Sequence, residues 1–184
     1  KANMTKLEGA TETATLANGC FWCTQALFKQ LKGVLSVTPG YTGGTRENPS
    51  YEQVSTGVSG HAEAIQIIFN PTVISYEALL DVFWHTHNPT TLNQQGYDVG
   101  TQYRSAIFYH DERQKESAEQ SLREFEQEEV YSDPIVTEIS KFAVFYPAEN
   151  YHNDYYAKNP DAPYCKAVIQ PKLEKFWKRY KHLI

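Results

Sequence analysis

"ETATLANGCFWCTQALFKQLKG", residues 12–33, changes its period partway along. Residues 12–17 read as a short strand running into the turn pair Asn18-Gly19. From Cys20 onward Phe21, Ala26, Phe28 and Leu31 recur at helical spacing until Gly33 ends the run. The stretch is therefore a strand feeding a helix through a tight turn, with Cys20 at or near the helix N-terminus.

Outward from it, "VLSVTPGY" (34–41) is a second extended segment and "TGGTRENPSY" (42–51) a turn-rich loop. "HAEAIQIIFNP" (61–71) alternates as a strand and closes at Asn70-Pro71. "SYEALLDVFWHTH" (75–87) is an amphipathic helix with Ser75 as N-cap and Leu79, Leu80, Phe83 and Trp84 facing the core. "NPTTLNQQGYDVGTQY" (88–103) has few core residues, which marks a functional loop within a compact domain. "RSAIFYH" (104–110) returns to strand, 111–130 is a charged helix, "VTEISKFAVFYPA" (136–148) carries further strand character, and "QPKLEKFWKRYKHL" (170–183) is the last helix. Strands and helices alternate with short crossovers. The expected class is α/β (α+β), a two-layer sandwich with a mixed central sheet and flanking helices. A doubly wound nucleotide fold is disfavoured: there is no G-x-G-x-x-G or Walker loop, and "GYTGG" has neither the spacing nor the Lys-Ser/Thr ending.

At 184 residues the chain suits a single domain, 1–184. A formal charge of −5 offers no basic face for nucleic acid or an anionic membrane. No apolar run approaches the roughly 18 to 20 residues a membrane span needs, and the polar, small first 15 residues argue against a retained signal peptide. Cys20, Cys23 and Cys165 are too few for a disulfide-built scaffold, so a reducing compartment, the cytoplasm, or a redox role is expected. Thirteen tyrosines suit a polar-tipped aromatic pocket. Met4 is the sole methionine.

Cys20-x-x-Cys23 admits three readings: a redox disulfide, half of a zinc site, or two core thiols. Zinc needs a second ligand pair, and His85-x-His87 with Cys165 matches no common spacing. A thioredoxin-like exchange site shares the spacing, but Phe21 and Trp22 would crowd the approach of a protein disulfide. A thiol at a helix N-terminus is expected to have a lowered pKa, which suits Cys20 as a nucleophile. The flanking aromatics would form a cup for an apolar group, such as a methyl, beside a polar reacting atom.

"GCFW", "GYTGG", "NPSYEQV", "GHAEAI" and "GTQYRSAIFY", in that order, resemble the peptide methionine sulfoxide reductase A family, specific for the S epimer, from about Thr13 to Lys175. The resemblance implies a ferredoxin-like fold with Cys20 as nucleophile, Phe21 and Trp22 as the methyl pocket, and Glu63 as acid. It makes Tyr51 and Tyr103 phenolic donors and Asp98 a polar partner. His61 and His152 match family positions for support or substrate contact. Cys165, in "DAPYCKAV" within a loop-rich region around 147–168, matches the resolving cysteine, with thioredoxin as external dithiol. The family needs no metal or organic cofactor, and a monomer is expected. A carboxyl at Glu63 among aromatic rings should be desolvated and held protonated. Cys23 stands where many members have glycine, and Gln25 where an acidic residue is common. Helical spacing places Cys23 one turn from Cys20, so a direct bond is expected to strain the helix start and Cys23 to be a bystander; the Gln25 difference is expected to matter little. The competing function is thioredoxin-like dithiol exchange through Cys20 and Cys23, in which Glu63, Tyr51 and Tyr103 have no job.

Overall fold

The computed structural model describes residues 11–184; Met4 and most of the polar leading segment lie outside the described residues. β1 (Glu12–Asn18) enters α1 (Phe21–Phe28) through Gly19, whose φ of 109° is one that side-chain-bearing residues avoid. A Cβ there would also meet Gln95 Cγ at 2.8 Å. α1 is shorter than the predicted 20–33. After Phe28 the bonds tighten to three-residue turns, Leu31 N to Phe28 O and Val34 N to Leu31 O, and swing the chain into β2 (Val34–Thr42).

α2 (Tyr51–Ser55) starts inside the predicted loop because Ser50 and Gln53 form a reciprocal capping box. β3 (Ala62–Phe69) and α3 (Tyr76–His85) follow as predicted, with Ser75 accepting from Ala78 N at 3.0 Å. The 88–103 stretch holds a two-residue-stranded hairpin, β4 (Gln94–Gln95) with β5 (Asp98–Val99), and a 3-10 turn Thr101–Tyr103. Next come β6 (Ser105–Tyr109) and α4 (Glu112–Gln127).

The predicted strand 136–148 is in fact two strands, β7 (Glu138–Lys141) and β8 (Phe145–Pro147), on opposite edges of the sheet. Among the described residues the sheet has six strands in the order β7-β6-β1-β3-β2-β8, antiparallel except for β6 with β7. That split fixes the sheet's shape. Six flat strands about 4.8 Å apart would separate the edges by about 24 Å. From Lys141 to Phe145 the chain reaches at most about 14 Å. The sheet must therefore curl until its edges approach. Its concave side is lined by Ala17, Ala62, Ala64 and Ala106, with Phe108, Phe142 and Phe145 filling the space. The convex side carries the main core, where β1, β3 and β2 meet the helices.

Beyond β8 come α5 (Tyr155–Lys158), a π-helical turn Cys165–Ile169, and α6 (Gln170–Arg179). The loop expected around Cys165 is thus helical. Cys165, Ile169, Leu173, Phe176 and Tyr180 recur at helical spacing and are all buried, so their shared face carries the helix upstream of Pro171. No described helix is long and apolar enough to cross a membrane.

Candidate active site

On β3 the two-residue period sends Ile65, Ile67 and Phe69 into the helix-facing core, and Glu63 shares that side. It lies beneath the start of α1, where its Oε1 accepts from Phe21 N at 3.2 Å. Glu63 is 2% exposed, and burial pushes its carboxyl up to about 8 against the pull of that bond. Burial thus favours the protonated carboxyl at neutral pH. Cys20 is the N-cap of α1, in extended conformation, and 7% exposed. The helix dipole was expected to lower its thiol. Burial instead pushes it well up, reinforced by Cys23 and Glu63, because a dry site penalises a thiolate more than one helix end stabilises it.

Four predicted residues meet in one aromatic cluster. His152, fully buried on a 3-10 turn, has ring centroids 5.0 Å from Phe21, 5.7 Å from Trp22 and 4.5 Å from Tyr51. Trp22 Nε1 donates to His152 Nδ1 at 2.9 Å, which leaves the proton of the neutral imidazole on Nε2. Burial holds the His152 pKa below its usual value. Tyr51 and Tyr103 each feel the charges of Glu63 and Cys20; burial raises Tyr51 to about 12 and Tyr103 further. Both phenols are therefore neutral donors.

Asp98 is engaged: its Oδ2 accepts from Tyr164 OH at 2.6 Å. The Tyr164 hydroxyl also lies 4.0 Å from Cys23 Sγ. Cys20, Cys23, Asp98, Tyr164 and Lys172 line a cavity of about 230 Å³. Cys165 is wholly buried and outside that lining, with its thiol raised by burial. His61 sits apart in a supporting role, accepting from Gly44 N at Nδ1 (3.0 Å) and contacting Arg46 O through Nε2 at 2.6 Å.

The family described as peptide methionine sulfoxide reductase matches residues 12–183. The chain belongs to this family. It is an oxidoreductase of the methionine sulfoxide reductase class. A Thermus thermophilus relative named peptide methionine sulfoxide reductase MsrA is 54% identical over 173 residues, 94% of this chain and 97% of the relative. The reduced form of Saccharomyces cerevisiae Mxr1 superposes with a TM-score of 0.80 at 34% identity, covering 85% of this chain and 90% of that one. Mxr1 in complex with Trx2 gives 0.58 at 25% identity, covering 80% and 86%.

Glu149 and Tyr155 at this candidate site have no signal in the sequence, and the reach of Gln25 exceeds what its position suggested. Glu149 accepts from Tyr41 OH at 2.9 Å and from Tyr51 N at 3.0 Å, joining β2 to the start of α2. Tyr155 stacks on Trp22 with centroids 3.8 Å apart and planes 10° off parallel. Gln25, 3% exposed, donates to Val37 O (3.0 Å) and Asn153 Oδ1 (2.7 Å) and accepts from Asp154 N (2.9 Å). Tyr41 lies in "GYTGG", and no local pattern links it to a carboxylate 108 residues away.

Proposed function

We propose that the chain reduces the S epimer of methionine sulfoxide, free or in proteins, through a sulfenic acid on Cys20. The sulfoxide sulfur lies against Cys20, its methyl between Phe21 and Trp22. Its oxygen points toward Glu63 and the phenols of Tyr51 and Tyr103. An S–O oxygen leaves sulfur poorly until it is protonated or strongly hydrogen-bonded. Glu63 delivers its proton to that oxygen while the Cys20 sulfur attacks and loses its own. The net change is balanced: thiol plus sulfoxide become sulfenic acid plus thioether. Asp98, through Tyr164, and His152, against Trp22 and Tyr51, hold the pocket's walls. A second thiol then converts the sulfenic acid to an intramolecular disulfide, for which Cys165 matches the family's resolving residue. An external dithiol of the thioredoxin type reduces it by exchange. The Mxr1–Trx2 complex of a relative supports that partner.

The observation that carries this reading is a carboxyl held protonated to about pH 8 at the same helix start as a thiol. Dithiol exchange has no oxygen leaving group for such an acid to protonate. The test is a single turnover of reduced protein with each separated epimer of a blocked methionine sulfoxide. Methionine from the S epimer alone, absent in Cys20→Ser, is expected. Equal reduction of both epimers, or activity surviving Cys20→Ser, would overturn it.

A further inference from the structure

Acids outnumber bases in the chain as a whole, yet five of its 17 Lys and Arg residues fall in positions 170–184, where Glu174 is the sole acid. Lys172, Lys175 and Arg179 stand three and four apart on α6 and so share one face of it. With His87, Asn88 and Gln95 they line a groove of about 400 Å³ whose walls include no carboxylate. Among the described residues neither Lys172 nor Lys175 has an ion-pair partner. Arg179 is steadied by its neighbour, its Nε donating to Tyr180 OH at 3.3 Å. Asp81, which feels the Arg179 charge, and Glu128 line a separate groove between α3 and α4, where both pair with His85. Unpaired cations around a groove without carboxylates favour an anionic occupant.

The groove adjoins the nucleophile. Lys172 and Gln95 line both it and the cavity that holds Cys20. A rise of 1.5 Å per residue carries Arg179 about 10 Å past Lys172, a span that an extended peptide covers in about three residues. Three cations in a row suit charges spaced along a chain better than a single compact anion. We propose that this groove holds an acidic segment of the oxidised protein chain, its carboxylates about two to five places from the methionine sulfoxide at Cys20. The inference deepens the activity proposed above and rests on it.

The test uses blocked peptides with one methionine S-sulfoxide and either Glu or Gln at those positions, before the sulfoxide in one set and after it in another. Reduced protein turns each over once, without reductant. In at least one set the Glu peptide should react about five- to tenfold faster at low salt, and the preference should fade in about 0.5 M salt. In Lys175→Gln/Arg179→Gln the ratio should fall toward one, whereas a structural defect would slow both peptides alike. Lys175→Gln alone, at an exposed and unpaired position, should move the ratio the same way if the double variant fails to fold. Equal rates for Glu and Gln peptides in both sets, or a preference that survives the double variant, overturns the proposal. So does a double variant that keeps the preference but is recycled more slowly by a thioredoxin-type dithiol, which would assign the face to the reductant. Fluorescence anisotropy of labelled Glu and Gln peptides with unoxidised methionine reads docking without chemistry. If no peptide is reduced, the proposed activity falls, and whether the Glu peptide binds more tightly still decides for or against the groove.

Discussion

Glu63 shows how one residue's surroundings set its task. The same carboxylate on an open strand would be ionised at neutral pH; here the start of α1, packed over β3, excludes water from it. Because the protonated form donates, activity should hold through neutrality and fall as pH rises past about 8. Glu63→Gln keeps the acceptor for Phe21 N but has no acid proton, so its kcat should drop by about 10²–10⁴-fold and lose the alkaline limb. A pH–rate series on both proteins checks this; an unchanged limb in the variant would assign it to another group. Cys20 as candidate nucleophile and the aromatic pair after it were readable from the turn at Gly19 and the helix start that follows. Glu63 as candidate acid came only from the family resemblance, since a lone strand carboxylate reads as exposed. Glu149 and Tyr164 were readable by neither route, since their partners are remote in sequence.

At the scale of elements, α1 is held to the segment after β8 by a side chain that seemed unimportant in the sequence. Gln25 was expected to matter only as a missing charge near a helix end. Buried, it instead satisfies Val37 O, Asn153 Oδ1 and Asp154 N together, and so fixes the turn that presents His152 to Trp22. Gln25→Ala strips partners from buried backbone groups at about 1–3 kcal/mol each. A total loss of about 2–4 kcal/mol is expected, which for a chain of this size lowers Tm by about 4–16 °C. KM should rise as the His152 turn loosens, and calorimetry with steady-state kinetics reads both. Element existence was legible wherever period and caps agreed, as at Ser75 before α3. The strand at 136–148 was not read as two, because only the closure of the whole sheet places β7 and β8 on opposite edges.

Across the molecule, buried titratable groups shape stability in opposing ways. His87 donates to Phe83 O and pairs with Ser105 Oγ at 2.8 Å; burial lowers its pKa to about 3. Its folded pKa lies below the unfolded one, so its stabilisation is complete above about pH 6.5 and fades as acid charges the unfolded form. Glu63 does the reverse: raised to about 8, it contributes fully below its unfolded pKa of 4.5 and loses that contribution as pH climbs through 8. Each slope is about 1.4 kcal/mol per pH unit within its window. Between about 4.5 and 6.5 the two cancel, leaving a plateau. His110 and His152, also lowered by burial, tilt its upper end upward, and His85, raised by its hydrogen bonds to Asp81 and Glu128, adds to the decline beyond. Tm measured from pH 3 to 9 should therefore be highest near pH 6 and fall on both sides. Glu63→Gln should flatten the alkaline fall while abolishing most activity, and His87→Gln should flatten the acid one. If Glu63→Gln left the alkaline slope intact, the carboxyl would be ionised in the folded protein at neutral pH, and the proton assigned to the sulfoxide oxygen would have to come from a tyrosine.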